Sequence, residues 1–315
     1  MARDDAPSER RVHTTGASSA DTASAGKPDI EPVTVDFGSR RPLPDPVVVI
    51  EARHGWRELG LAELWSHREL MYFFVWRDLK VRYRQTVFGA LWAVMQPVLL
   101  MVVFTVSVGR LPGVGPANVP YPLFAFAGLV PWTLFASSLA GASNSLVSSE
   151  SIITKVYFPR LLLPFAAVGS FLIDFAIAMV VLVVLMLYFG VAPTIAVLWL
   201  LPLTLFALVT ALGVGTWLAA VNVRYRDVKY VVPFLTQTLM FLSPVIYAST
   251  LIPEGWQWLY ALNPMTGVLE GFRWALLGGP RPDELILVSA MASVLVFISA
   301  LIYFRRTEQT FADVI

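Results

Sequence analysis

Residues 161–189 read LLLPFAAVGSFLIDFAIAMVVLVVLMLYF, a run interrupted by a single charged side chain, Asp174. A helix needs about 20 such residues to cross the hydrocarbon core of a bilayer. This run is longer than that, so it must tilt or have its start broken by Pro164. Comparable apolar runs lie on both sides of it: Val87–Gly109 and Leu123–Ser143 before it, and Ile195–Val221, Val231–Tyr247 and Leu285–Phe304 after it. The sequence therefore predicts an all-α multi-pass membrane protein with six transmembrane helices and both termini on one side.

Composition supports that fold class. Of 315 residues, 57% are hydrophobic and only 14% charged, against about 25% charged in soluble domains. The mean hydropathy is +0.66. A soluble enzyme with this composition would expose large apolar patches and aggregate. A net charge of +1 argues against a nucleic acid as partner, since nothing in the balance tracks phosphates. Cysteine is absent and the three histidines, His13, His54 and His67, all precede the apolar runs. No thiolate site and no histidine-rich metal site within the membrane is expected.

The basic residues choose the orientation. Arg77, Lys80, Arg82, Arg84, Lys155, Arg160, Arg224, Arg226, Lys229, Arg305 and Arg306 fall at one end of the six runs, whereas Arg110, Arg273 and Arg281 fall at the other. By the positive-inside rule both termini are then cytoplasmic. Three regions follow. Residues 1–46 are rich in Ser, Thr, Ala, Asp, Arg and Pro, and read as a disordered cytoplasmic tail. Residues 47–86 are a linker and an amphipathic helix, and residues 87–315 form the transmembrane domain.

The amphipathic segment is Leu61–Arg84, with apolar residues at Leu61, Leu64, Trp65, Tyr72, Val75, Trp76, Leu79 and Tyr83. Phe73 and Phe74 face away from that stripe, as do Arg77, Lys80 and Arg84. Aromatic bulk with clustered cations suits a helix lying in the membrane interface; a soluble amphipathic helix on a partner domain is the alternative. Between the last two runs, Ala248–Glu284 is too apolar for a free loop and is broken by Pro253, Asn263-Pro264 and Gly278-Gly279. Two short helices meeting at Asn263-Pro264 and dipping into the outer leaflet fit it best. A seventh span over Trp256–Leu277 would reverse the C-terminus and place Glu270 and Arg273 in lipid.

Catalytic signatures are missing. There is no phosphate loop of the G-x-x-x-x-G-K-[ST] type, no G-x-S-x-G elbow and no H-E-x-x-H. The chain is not expected to hydrolyse ATP by itself. Asp174 is the one acid well inside a run, and without a basic partner at depth it reads as bonding Ser, Thr or Asn on neighbouring helices, with a direct transport role as the alternative. Asn144–Arg160 (NSLVSSESIITKVYFPR) reads either as a short amphipathic helix presented to a cytoplasmic partner or as an ordinary loop. The basic turn Asn222–Tyr230 either grips lipid phosphate or only sets topology. The aromatic residues form interfacial belts or a sugar-stacking conduit, and composition does not choose between them.

Five motifs in order resemble one family. RDLKVRYRQTVFGALWAVMQPVLLM (Arg77–Met101), VPYPLFAFAGLVPW (Val119–Trp132), ITKVYFPRLLLP (Ile153–Pro164), NVRYRDVKYVVPF (Asn222–Phe234) and LYALNPMTGVLEGFRWALLG (Leu259–Gly278) are similar to those of the ABC-2 type permeases that export bacterial surface polysaccharides, including O-antigen, capsule, teichoic acid and galactan. The resemblance runs from about Leu59 to the C-terminus. It implies a non-enzymatic permease of the bacterial cytoplasmic membrane, working as a homodimer with two ATP-binding cassette subunits. ATP and Mg²⁺ are then held by that partner, with no cofactor on this chain. It implies a polyprenyl-pyrophosphate-linked polysaccharide as substrate, with its headgroup near Arg77, Lys80, Arg82 and Arg84. It also implies a conduit lined by Trp92, Gln96, Phe234, Gln237 and Phe241. A coupling element is implied at Ser149, Glu150, Ile152, Ile153, Thr154 and Lys155, and a re-entrant external gate at Trp256, Trp258, Tyr260, Asn263 and Pro264. An ABC-2 drug or small-lipid exporter is the nearest alternative, and a polyprenyl-phosphate membrane transferase a more distant one.

Overall fold

The structure is a computed structural model that describes residues 61–84, 91–111, 113–116, 118–279, 281–308 and 311. The expected tail 1–46, the linker from residue 47 to residue 60 and the segment 85–90 lie outside the described residues. Those described form helices and no strand.

Four helices are long and apolar enough to cross a membrane. They are α4 (Tyr121–Ser148), α6 (Leu162–Tyr188), α7 (Leu200–Arg224, entered through a 3-10 turn at Ile195–Trp199) and α11 (Leu285–Glu308). Two further apolar helices are shorter, α3 (Leu91–Ser107) and α8 (Val228–Leu242). Together they correspond to the six expected runs. The fifth run was expected over Val231–Tyr247, but the helix starts three residues earlier and ends at Leu242, and Ser243–Tyr247 is not helical. Pro97, Pro131 and Pro233 sit inside α3, α4 and α8. Each lies in the apolar helices that tolerate it because neighbouring helices and polar groups compensate the lost backbone bond.

α4 is the hub. Its apolar window is 78% buried, against 22% for each of the other three long helices. Small residues let neighbours approach it closely, as expected where apolar burial cannot drive helices together in lipid. A Cβ placed on Gly215 of α7 would lie 2.6 Å from the Cβ of Ala142 on α4. The Asn222 side chain of α7 donates to the Ser143 carbonyl at 2.9 Å. On its other side α7 meets α11, where the Thr210 and Ser293 hydroxyls share a buried hydrogen bond of 2.8 Å. Gly215→Val is therefore expected to force α7 away from α4 and to cost about 1–3 kcal/mol, read as an earlier thermal unfolding transition of the purified protein.

At the basic end the amphipathic segment is two helices, not the single one expected. α1 (Leu61–Ser66) and α2 (Arg68–Tyr83) are separated at His67. The buried face also differs. Phe74, expected to point away, is 3% exposed, while Trp65, Tyr72 and Trp76 of the expected stripe are exposed. α2 packs along α6 with Val75 against Gly169, and the Phe74 ring sits on Phe158 of the chain before α6 at 5.4 Å. The Arg305 guanidinium donates to Glu63 of α1 at 2.9 Å and to Glu308 at 2.7 Å. Arg160 reaches the Glu308 backbone carbonyl, and Phe311 stacks edge-on against Phe304. One knot thus ties α1, the chain before α6 and the end of α11.

At the far end are the two short helices expected around Asn263-Pro264: α9 (Glu254–Ala261) and α10 (Pro264–Leu277). Asn263 caps α10, its side chain accepting from the Met265 N–H, and Pro264 occupies the first turn, where its missing N–H costs nothing. Gly278, at φ 70°, ends α10 in the left-handed conformation that glycine adopts without strain. A continuous seventh span is excluded by this break.

Candidate functional site

α2 and its C-cap carry the four expected headgroup cations, and the structure separates them. Arg77 is half-buried, pairs with Asp78 at 2.8 Å and reaches the Ser149 hydroxyl at 3.4 Å. Arg82 turns toward α6, where it pairs with Asp174 at 2.7 Å and donates to the Ser170 hydroxyl at 2.9 Å. Its guanidinium lies 3.8 Å over the Phe171 ring. The Tyr83 hydroxyl donates to the other Asp174 oxygen. Lys80, stacked over Trp76 at 5.4 Å, and Arg84 are exposed.

Asp174 therefore does have a basic partner at depth, contrary to the expectation from sequence. It sits near the middle of α6, and Arg82 comes to it from 92 residues away in the chain. No periodicity signals such a pairing. The spacing that helps is only visible in hindsight: Arg82 is out of phase with Arg77, Lys80 and Arg84 on the helix.

Beside this pair opens a cleft of about 280 Å³ between α2, α3, α4 and α6. Arg82, Tyr83, Trp92, Gln96, Ser137 and Asp174 are among its walls. The structure thus brings one headgroup candidate, Arg82, together with two conduit candidates, Trp92 and Gln96. It does not bring in Phe234, Gln237 or Phe241. Those three are exposed on α8, which reaches the bundle through α4 and α7.

The segment expected to contact a partner at the basic end is less helical than its sequence suggests. Only α5, Glu150–Ile153, is helix, and it is four residues long. Ile153 is buried beneath it, with Phe158 and Leu161 in the same cluster. Thr154, Lys155 and Val156 follow on the surface, and Tyr157 is 97% exposed. Ser149 is buried; Glu150 and Ile152 are half-buried.

At the far end, Trp256 and Trp258 of α9 are exposed, and Tyr260 faces the Tyr247 hydroxyl at 3.5 Å. Asn263 also donates to the Ser243 hydroxyl at 2.7 Å, joining the start of α10 to the end of α8. One residue here escaped the sequence reading. Arg273, counted there as a cation of the outer loops, is buried on α10. It donates to the carbonyls of Pro244 at 2.6 Å, Val245 at 2.5 Å and Tyr247 at 3.2 Å, and stacks 3.8 Å over Phe124. Its signal was an arginine inside the apolar run GVLEGFRWALL.

A bundle of apolar helices with an amphipathic helix along one end defines an integral membrane protein. Residues 69–277 match the pattern of the ABC-2 type transporter family. The chain is 33% identical over 256 residues to the O-antigen export system permease protein RfbA of Myxococcus xanthus, covering 78% of this chain and 96% of that one. It is 28% identical over 240 residues to the protein of that name from Klebsiella pneumoniae, covering 76% and 92%. With the polysialic acid transport protein KpsM of Escherichia coli it shares 23% identity over 244 residues, covering 74% and 91%. The chain belongs to the ABC-2 type transporter family.

Proposed function

We propose that this chain is the permease subunit of an ATP-driven exporter that moves a polyprenyl-pyrophosphate-linked cell-surface polysaccharide across the bacterial cytoplasmic membrane. The observation that carries the reading is the near-complete coverage of relatives named for O-antigen export. In this reading α3, α4, α6, α7, α8 and α11 are six spans, and the basic end, with both termini, is cytoplasmic. Two copies enclose the conduit, and ATP and Mg²⁺ are held by two partner subunits. The open faces of α3 and α8 support dimerisation, since Leu99, Val103, Phe234 and Phe241 are exposed there. α5 and the surface after it meet the ATP-binding subunit, while α9 and α10 close the outer mouth.

Lys80 and Arg84 receive the lipid pyrophosphate. They remain on the surface while Arg77 and Arg82 are engaged by Asp78 and Asp174. Each cation near an anionic lipid surface contributes about 1 kcal/mol. Lys80→Gln with Arg84→Gln should then raise the lipid-linked substrate concentration needed for half-maximal ATP turnover by about 10-fold or more, with topology intact. Unchanged affinity in the correctly inserted double variant would leave topology as the only role of the two cations. Group transfer without nucleotide by the purified permease would overturn export itself.

A further inference from the structure

The cleft beside Asp174 has a chemistry that differs from that of the exposed cations. Ionisable groups within a membrane bundle are expensive and mark functional sites by default. Here the pair is built from two helices: Arg82 and Tyr83 from α2, Asp174, Ser170 and Phe171 from α6. The charge of Arg82 is matched by Asp174 at 2.7 Å. A phosphate entering the cleft would meet a carboxylate as closely as a guanidinium, in a setting where like charges repel more strongly than in water.

A neutral, hydroxyl-rich ring meets no such obstacle. A carboxylate has about four acceptor sites, and Arg82 and Tyr83 use two of those on Asp174. Among the described residues no other donor takes the remaining two, which stay available to hydroxyls. Gln96 and Ser137 add an amide and a hydroxyl, each able to donate and accept, and Trp92 adds a ring face. At about 280 Å³ the cleft lies just below the roughly 300–1,000 Å³ of sites for drug-sized ligands. That is room for one ring and not for a polyprenyl chain.

We propose that the cleft between α2, α3, α4 and α6 is a sugar subsite, with Asp174, Gln96 and Ser137 taking the hydroxyls of a single uncharged pyranose-like ring and Trp92 its apolar face. This rests on the reading of the chain as a glycan exporter and deepens it. The pyrophosphate stays with Lys80 and Arg84, and the first sugar is read one step deeper.

The test uses the permease reconstituted in vesicles with its ATP-binding subunit and two probes: polyprenyl pyrophosphate without sugar, and the same lipid carrying a neutral disaccharide. Gln96→Ala and Asp174→Asn should each raise the half-maximal concentration for stimulating ATP turnover by the disaccharide probe by about 5- to 10-fold, the loss of about one hydrogen bond. The response of Gln96→Ala to the sugar-free probe should not move, whereas Asp174→Asn also releases Arg82 and is read on the disaccharide probe alone. Gln96 lies outside the ion pair, so its variant decides the matter even if Asp174→Asn fails to assemble. Equal shifts for both probes, or none for either, overturn the sugar subsite while leaving glycan export standing. A wild-type complex that answers neither probe overturns the export reading and the subsite with it.

Discussion

Arg273→Met will cost about 3–5 kcal/mol of stability and abolish transport. The guanidinium holds three backbone carbonyls of the chain just after α8, at 2.6, 2.5 and 3.2 Å, with no solvent to replace it. Hydrogen bonds to a charged group contribute about 1.5–3 kcal/mol each, and truncating the donor leaves the acceptors buried and unpaired. Methionine fills the space over Phe124 but offers nothing to Pro244, Val245 or Tyr247. Arg273→Lys should recover only part of the loss, because one ammonium cannot copy the planar fork that spans several acceptors. The same contact can be broken from the opposite wall. A Cβ on Gly128 would lie 2.5 Å from the Val245 carbonyl oxygen and 2.8 Å from the guanidinium, so Gly128→Ala should also unfold early. Thermal unfolding in detergent and export in cells measure both. Wild-type unfolding and export in Arg273→Met would show that the turn after α8 is held by something else.

Ile152→Pro is expected to lower polymer export at least 10-fold while the permease inserts at normal levels. The Ile152 N–H bonds to the Ser149 carbonyl at 3.0 Å, and its own carbonyl accepts from Val156 at 3.0 Å. Proline removes the first bond and crowds the preceding turn. With only one turn of helix at α5, nothing downstream restores the shape. Export per inserted permease, measured alongside membrane content, separates uncoupling from loss of protein. Normal export from the variant would place coupling elsewhere on the chain.

Much of this fold is legible before any coordinates. The long spans follow from run length alone, and the break at Asn263-Pro264 follows from a capping residue and a proline adjacent in the chain. These are local causes with local signatures. What was not legible depends on a partner distant in sequence. Phe74 rather than Trp76 faces inward because the chain before α6 offers Phe158 and α6 the gap at Gly169, which the periodicity of α2 does not contain. Arg82 differs from Lys80 only through Asp174, and Arg273 looks like a loop cation until the carbonyls after α8 are placed around it. The four cations stand together in the sequence, but their division into paired and exposed members belongs to tertiary structure.

The knot at Glu63 has a consequence for biogenesis. Glu63 leaves the ribosome long before its ion-pair partner Arg305, 242 residues later. During synthesis N-terminal domains generally fold first, yet among the described residues Glu63 finds its ionic partner only when α11 has been made. The closing of that pair therefore waits until α11 has been made and packed.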